Sequence, residues 1–333
     1  MSRRRVSPKS FWCSFLQKGA RKKRRFSQKR QTKKEKMRET ADILKQVRKI
    51  EIKTRGLSND IFAGHYHSAF RGRGMAFSEV REYALGDDVR DIDWNVTART
   101  RKPHTKVYEE ERELTMMLVI DVSGSGLFGS GDKTKRDVMT EIAAVLAFSA
   151  ASNNDKVGCL LFSEGVEKFI PPKKGRSHIL HIIRTLLDYE PQGKATSLAE
   201  PVKYLTNALK KRCTTFVISD FCLGGGGDEA GYEELEKTLK IASGKHDIVG
   251  IRVYDKRDAE LPDVGLVEVV DSESGRREWI DTSSRATREY YAAAWRKEHE
   301  VINRMLDRAR VDHADVAADQ DYVKELIKLF SRR

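Results

Sequence analysis

The hydrophobic residues of the central region alternate between short continuous runs and longer stretches with a helical period. The continuous runs predict buried strands at residues 116–120, 157–162, 215–219 and 247–253, with an edge strand at 166–170. The periodic stretches predict helices at residues 136–152, 177–188, 198–209 and 232–243. Because strands and helices alternate along the chain, the pattern predicts an α/β fold with a doubly wound, mostly parallel sheet and helices on both faces.

The flanking regions predict further elements. Upstream, apolar residues at helical spacing predict a helix from about residue 41 to residue 53. The downstream elements that we expect are a hairpin at 265–270 and 277–281, a helix at 285–310, a strand at 314–317 and a helix at 321–330. The expected segments are an arm at 1–36, an N-terminal segment at 37–113, the central α/β domain at 114–256, and a C-terminal extension at 257–333 that packs on that domain.

The positive charge of the chain is concentrated at its N-terminus. The formal net charge is +13, but residues 1–36 contain 15 Lys and Arg and a single acidic residue, so the remaining chain is nearly neutral. Such a composition is typical of a disordered arm. Three interpretations remain open: binding of RNA or DNA phosphates, contact of Phe11, Trp12 and Phe15 with an anionic membrane, or translation that begins only at Met37, where the composition changes.

Cysteine usage and hydropathy indicate the compartment. The four cysteines show neither a C-x-x-C pair nor metal-ligand spacing, which favours a reducing environment over a disulfide scaffold. No apolar run approaches the length of about 18 to 20 residues that a membrane helix requires, and the N-terminus lacks the pattern of a signal peptide. We therefore expect a cytoplasmic protein without a transmembrane segment.

Oxygen-bearing side chains follow two of the predicted strands. Asp121 ends one strand and Asp220 ends another, while Ser123 and Ser125 lie in the loop after Asp121 and Thr196 lies in a turn before a predicted helix. Ligands of open parallel sheets bind where the strands end, because the loops converge there. We therefore predict that these five residues form one metal site.

The donor types of this site indicate which ion it would hold. Two carboxylates and three neutral hydroxyls suit a hard divalent cation such as Mg²⁺, or Mn²⁺, and leave at least one coordination position open. An Asp or Glu of a partner protein could fill that position. The structural alternative is that the two aspartates are helix caps and that the Ser and Thr residues only stabilise turns.

The same five residues resemble the metal-ion-dependent adhesion site of von Willebrand factor A domains, with the D-x-S-x-S run at Asp121, Ser123 and Ser125 and the remaining roles at Thr196 and Asp220. Further motifs resemble the bacterial domain of unknown function 58 family, a von Willebrand factor A-like family associated with MoxR-type AAA+ ATPases. These motifs are Phe77-x-x-x-Arg81-Glu-Tyr83, Gly86-Asp-Asp-x-Arg90-x-Ile92-Asp-Trp94, Ala98-Arg99, Glu111-Arg-Glu-Leu114 and Ile218-Ser-Asp-Phe221.

The resemblance implies a cytoplasmic, non-enzymatic adaptor that acts with a MoxR-type AAA+ ATPase in the chaperone-like maturation or assembly of client proteins. Two other functions remain open. One is nucleic-acid or polyanion binding through residues 1–36, and the other is Mg²⁺-dependent hydrolysis. The chain lacks the G-x-x-x-x-G-K-S/T phosphate loop and shows no clear catalytic base, since His178 and His181 fall on a predicted helix as surface or packing residues.

Two upstream features are secondary candidates. Acids and arginines alternate between residues 77 and 94 too densely for an ordinary surface strand. We expect Asp87, Asp88, Asp91 and Asp93 to form ion pairs with Arg81, Arg90 and Arg99 that hold this segment against the sheet, although a second cation site or a partner-docking surface is also compatible with them. His65 and His67 have the spacing of two metal ligands on a strand, but no third ligand is evident.

Overall fold

The computed structural model describes residues 76–109, 114–191, 193, 196–223, 229–270 and 277–333. Two compact units divide this part of the chain, one within residues 70–114 and the other from Thr115 to Arg333. The arm at 1–36, the helix expected at 41–53 and the pair His65 and His67 lie outside the described residues.

The described elements are ten strands and eight α-helices. The strands are β1 (Ala76–Glu82), β2 (His104–Glu109), β3 (Thr115–Asp121), β4 (Lys156–Phe162), β5 (Val166–Lys173), β6 (Thr214–Ser219), β7 (Asp247–Tyr254), β8 (Leu266–Val270), β9 (Arg277–Asp281) and β10 (Asp312–Ala317). The helices are α1 (Trp94–Thr100), α2 (Lys135–Ser152), α3 (Arg176–Asp188), α4 (Ala199–Ala208), α5 (Glu229–Lys245), α6 (Lys256–Ala259), α7 (Arg285–Arg308) and α8 (Tyr322–Ser331).

A six-stranded sheet forms the centre of the larger unit, in the order β10-β7-β6-β3-β4-β5. Neighbouring strands are parallel, except that β5 at the edge runs antiparallel to β4. Residues 116–120 of β3 are buried on both faces of the sheet, which is why they form a continuous apolar run and not an alternating one. The predicted doubly wound, mostly parallel α/β fold is therefore confirmed.

Helices cover this sheet on both faces. Met117 and Val119 of β3 share one apolar cluster with Leu205 of α4, Leu239 of α5 and Met305 of α7. The alternate residues of β3 point to the opposite face, because successive side chains of a strand alternate between its two sides. Helices α2, α3 and α8 complete the other layer: α2 contacts β3, β4, β6 and β7, α3 contacts α2 and β4, and α8 contacts β10.

The segment expected as a C-terminal extension contributes directly to the larger unit. Strand β10 pairs in parallel with β7 and forms one edge of the central sheet. Strands β8 and β9 form the antiparallel hairpin that the sequence predicts. None of the described helices combines the length and the apolar character needed to cross a membrane.

The smaller unit corrects one expectation. Residues 76–82 do form a strand, β1, which pairs antiparallel with β2 even though its acids and arginines alternate. The charges are accommodated because they are exposed and paired with opposite charges near the strand: Arg81 binds Asp87 at 2.7 Å and Glu82 binds Lys102 at 3.1 Å. The alternation of charges was therefore wrongly interpreted as evidence against a strand.

Two isoleucines on helices of the larger unit test how much the core depends on side-chain burial. Ile142 on α2 is fully buried, whereas Ile241 on α5 is 71% exposed. We expect Ile142→Ala to lower the free energy of unfolding by about 2–5 kcal/mol, because it removes buried methyl groups and leaves a cavity. Ile241→Ala is the matched control and should change it by less than about 0.5 kcal/mol. Urea unfolding measures both, and equal losses would contradict the described core.

Candidate metal centre

The two aspartates of the candidate site lie side by side at the carboxyl ends of adjacent strands. Asp121 is the last residue of β3, and Asp220 follows directly after β6. The strands are parallel and their register pairs Ile120 with Ile218, so both acids come to the same edge of the sheet. Only 3% of Asp121 and 4% of Asp220 is exposed. The predicted placement at the strand ends is therefore what the structure shows.

The loop after β3 brings three of the predicted donors together. A carboxylate oxygen of Asp121 accepts a hydrogen bond from the backbone N–H of Ser123 at 2.9 Å. The hydroxyls of Ser123 and Ser125 lie 3.1 Å apart and share a hydrogen bond, and both residues are buried. A 3₁₀ turn at Gly124–Leu127 folds the loop so that Ser125 follows Ser123 on the same side. Two hydroxyls and one carboxylate thus occupy one tight turn.

Thr196 reaches this edge of the sheet from a separate loop. The backbone N–H of Ser197 donates to the carbonyl of Ser163, which lies just beyond β4, the strand next to β3. Thr196 itself is buried, and its hydroxyl oxygen has no hydrogen-bond partner among the residues that the structure describes. A buried hydroxyl without a partner costs free energy, so this oxygen is available for a ligand.

Glu167 on β5 fastens the loop that carries Thr196. Its carboxylate accepts hydrogen bonds from the hydroxyl of Tyr189 at 2.9 Å, from the N–H of Gly193 at 2.9 Å, and from the hydroxyl of Ser163. A Cβ atom at Gly193 would meet the hydroxyl oxygen of Ser163 at 2.4 Å, so any larger residue here would displace the hydroxyl that binds Glu167. The role of Glu167 gives no signal in the sequence, since none of its contacts has a recognisable spacing.

The Ile218-Ser-Asp-Phe221 motif has a physical explanation. Ser219 donates its hydroxyl to Asp121 at 2.6 Å and accepts the N–H of Phe221 at 3.0 Å. Phe221 has a left-handed backbone with φ of 58°, and a Cβ on Gly250 would meet its ring at 3.3 Å. Glycine at 250 therefore leaves space for this ring, and the turn at Phe221 directs the chain away directly after Asp220. Ser219 positions Asp121, a role that the sequence analysis missed.

A buried lysine contacts the candidate site from α2. The ammonium of Lys135 lies 2.9 Å from Asp220 and 3.2 Å from Asp258 of α6. Burial alone would lower the pKa of Lys135, but the carboxylates of Asp220 and Asp258 outweigh it and raise this pKa well above its ordinary value. Neither Lys135 nor Asp258 was predicted, because their distance from Asp220 in sequence gives no local pattern.

The electrostatics of the site favour a cation. Burial, together with repulsion from Asp220, raises the pKa of Asp121 to about 6. The hydrogen bonds from Ser219 and Ser123 lower it only in part. Two facing carboxylates, two paired hydroxyls and the unpartnered oxygen of Thr196 are hard donors that fit Mg²⁺ or Mn²⁺.

The structural alternative, in which these side chains only cap helices and stabilise turns, explains part of this geometry. One oxygen of Asp121 accepts the N–H of Ser123, and one oxygen of Asp220 accepts the N–H of Cys222 at 3.2 Å. Each aspartate therefore stabilises its own turn, as short polar side chains commonly do. Turn formation does not account for the burial of both acids side by side, nor for the unpartnered hydroxyl of Thr196.

The acidic block of the smaller unit stabilises local structure. Asp87 binds Arg81, Asp88 caps the short 3₁₀ helix at Val89–Asp91, and Asp93 caps α1 and lies 3.7 Å from Lys106. Hydrogen bonds from the backbone are the largest cause that lowers the pKa of both Asp87 and Asp93. No cluster of three or more His, Cys, Asp or Glu side chains suited to a metal occurs in the described part of the chain.

His178 has a packing role on α3. One of its ring nitrogens lies 3.0 Å from the carbonyl oxygen of Val157 in β4. Burial lowers the pKa of His178, and this favours the neutral ring. This contact agrees with the interpretation of His178 as a packing residue.

The pKa of Asp121 predicts how the stability of the metal-free protein depends on pH. Because this pKa is raised from 3.8 to about 6, the folded state holds a proton that the unfolded state has released, and stability falls as pH rises between about 4 and 6. Asp121→Asn cannot ionise, so in EDTA above pH 6 it should be more stable than the wild type by on the order of 1–3 kcal/mol.

Thermal melting in EDTA between pH 4 and pH 8 measures this difference. Asp307→Asn, at an exposed position of α7, is the matched control and should stay within about 1 kcal/mol of the wild type at every pH, because the exposed Asp307 contributes little through its pair with His313. The prediction is wrong if the metal-free wild type is as stable as Asp121→Asn at pH 7. In that case the charge of the buried Asp121 carboxylate does not destabilise the folded state.

Comparison with known proteins identifies the family. The model of the family described as protein of unknown function DUF58 matches residues 79–301. An uncharacterized protein of Mycobacterium tuberculosis (strain H37Rv) is 30% identical over 291 residues, which cover 86% of this chain and 88% of the relative.

Similar solved structures include the conserved hypothetical protein BatB from Bacteroides thetaiotaomicron, at 15% identity and a TM-score of 0.43, with 66% of this chain and 98% of that chain covered. They also include the SpRpn10 VWA domain, at 12% identity and a TM-score of 0.40, with 66% of this chain and 95% of that chain covered.

The match to the DUF58 family model spans most of both compact units and agrees with the motifs found in the sequence. The chain therefore belongs to the DUF58 family.

Proposed function

We propose that the protein is a metal-ion-dependent protein-interaction module. The observation that carries this proposal is the arrangement of oxygen donors at one edge of the sheet. Asp121 and Asp220 are buried beside each other, and the hydroxyl of Thr196 is buried without a partner among the described residues. A bound Mg²⁺ or Mn²⁺ would offset the repulsion between the carboxylates and take the free hydroxyl as a ligand.

The composition of the donor set supports binding of a partner through the ion. Only two of the five proposed ligands are charged, so a divalent ion held by them keeps affinity for a further anionic oxygen. A carboxylate of an Asp or Glu on the partner would supply this oxygen at the open coordination position. Leu127, the last residue of the 3₁₀ turn that contains Ser125, is 58% exposed and would offer the partner an apolar contact near the ion.

We further propose that the partner is a MoxR-type AAA+ ATPase, with which the protein acts as a non-enzymatic, chaperone-like adaptor for client proteins in the cytoplasm. Membership in the DUF58 family supports this partner through the association that the resemblance implies. The described cysteines, Cys159, Cys213 and Cys222, form no disulfide bond with one another, which is compatible with a reducing compartment. The proposal assigns no catalytic step to Asp121 or Asp220.

Co-purification with a MoxR-type ATPase from the same organism tests this function. We expect the full-length protein to retain the ATPase in Mg²⁺ and to lose it in EDTA, because the ion bridges the two proteins. Asp121→Ala should lose at least about 90% of the retained ATPase even in Mg²⁺, since a lost metal-bridged charge pair costs more than 1.4 kcal/mol, a factor of ten in affinity.

The control is Asp307→Ala, at an exposed position near the end of α7 and just before β10 begins, which places it near the amino ends of the parallel strands, whereas Asp121 lies at a carboxyl end. It should retain the ATPase as the wild type does. Circular dichroism must show that Asp121→Ala remains folded. Retention of the ATPase by folded Asp121→Ala, or by the wild type in EDTA, would contradict a metal-bridged interaction.

A further inference from the structure

The ammonium of Lys135 lies between the buried carboxylate of Asp220 and the partly buried carboxylate of Asp258, which come from distant parts of the chain. Its Nζ atom is 2.9 Å from Oδ2 of Asp220 and 3.2 Å from Oδ2 of Asp258. Only 4% of Lys135 is exposed, so water contributes little to the solvation of its charge. The lysine therefore depends on these two acids, and Asp220 already has a cation beside it before any metal ion arrives.

The backbone around this lysine is firmly held, whereas its side chain is long and flexible. Lys135 is the first residue of α2, and a capping box formed by Thr134 and Asp137 fixes this end of the helix. Asp258 is also held, because its carboxylate accepts the N–H of Asp255 at 2.9 Å. The four-carbon stem of the lysine is thus the part of this cluster that can move between the two carboxylates.

We propose that Lys135 is a built-in competitor of the metal ion for Asp220 and that Asp258 receives its ammonium when the ion binds. This inference rests on the metal-dependent function proposed above and names the residues that regulate its affinity. In the absence of metal, Lys135 neutralises Asp220. When the ion takes Asp220 as a ligand, the ammonium retains Asp258 as its partner, so no buried charge is left alone.

The charges of the cluster explain why both residues are needed. When the carboxylates of Asp121, Asp220 and Asp258 are all ionised, they and the ammonium of Lys135 carry a formal charge of −2, which a divalent ion would neutralise. Without the ammonium the cluster attracts the ion more strongly. Without the charge of Asp258, the cluster attracts the ion less strongly. The ammonium of Lys135 then forms its ion pair with Asp220 and competes with the ion there. The two substitutions should therefore change metal affinity in opposite directions.

Calorimetric titration of the full-length protein with MnCl₂ and MgCl₂ tests this inference. We expect Lys135→Met to raise the affinity for Mn²⁺ by about tenfold or more, and Asp258→Asn to lower it by a similar factor. Lys133→Met is the matched control, because Lys133 lies two residues away and is paired with Glu141 while 40% of its side chain is exposed. The Mn²⁺ affinity of Lys133→Met should stay within about twofold of that of the wild type.

The outcomes separate this inference from the function on which it rests. If the wild type binds Mn²⁺ but Lys135→Met binds it equally or more weakly, Lys135 merely orients Asp220 and the competition is refuted. If Lys135→Met does not fold, Asp258→Asn decides, because an unchanged or higher affinity in that variant also refutes the exchange. If neither the wild type nor any variant binds Mn²⁺ or Mg²⁺, the metal site itself is wrong and the inference falls with it.

Discussion

The arrangement of this site depends on one electrostatic constraint: two carboxylates are buried next to each other at the ends of adjacent parallel strands. Asp121 and Asp220 reach this position because β3 and β6 are neighbours in register and because both strands are buried along nearly their whole length. Buried like charges are unfavourable unless a cation accompanies them. The raised pKa of Asp121 reflects this cost, and the contacts around the pair reduce it.

Two kinds of contact reduce this cost in different ways. The hydroxyl of Ser219 and the N–H of Ser123 donate to Asp121, so its charge is partly solvated by the protein itself. The ammonium of Lys135 neutralises Asp220. The hydroxyl of Thr196 makes no such contact with the described residues, although the hydrogen bonds of Glu167 hold its loop in place. This combination of a compensated pair and a free oxygen donor is what makes a bound divalent ion chemically reasonable.

The fold could be predicted from the sequence because its signals are local. Continuous apolar runs such as residues 116–120 reflect burial on both faces of the sheet, and the 3.6-residue period of α3 reflects burial on one face of that helix. The strand β1 could not be predicted because a charged strand in a separate two-stranded sheet shows no apolar pattern. Its partner β2 was not expected either, since pairing between residues 76–82 and 104–109 gives no local signal.

The candidate site could be predicted only in part, for a related reason. Asp121, Ser123 and Ser125 have a recognisable spacing, and Asp220 and Thr196 follow from the order of the strands and turns. Lys135 and Asp258 act on Asp220 from 85 and 38 residues away in sequence. Their roles depend on how α2 and α6 approach the end of β6, which packing alone decides. Residues that change the electrostatics of a site from outside are therefore harder to predict from sequence than the residues that form the site.

The most direct test of the metal site is calorimetric titration of the wild type and Asp121→Ala with Mg²⁺, each first freed of metal. The account predicts one saturable site in the wild type. It also predicts that binding is lost in Asp121→Ala, while the circular dichroism spectrum is retained, because Asp121 lies at the rim of the sheet and outside its apolar core. Equal Mg²⁺ affinity in the two proteins, or no binding to the wild type, would contradict the account and leave these residues with a purely structural role in the turns.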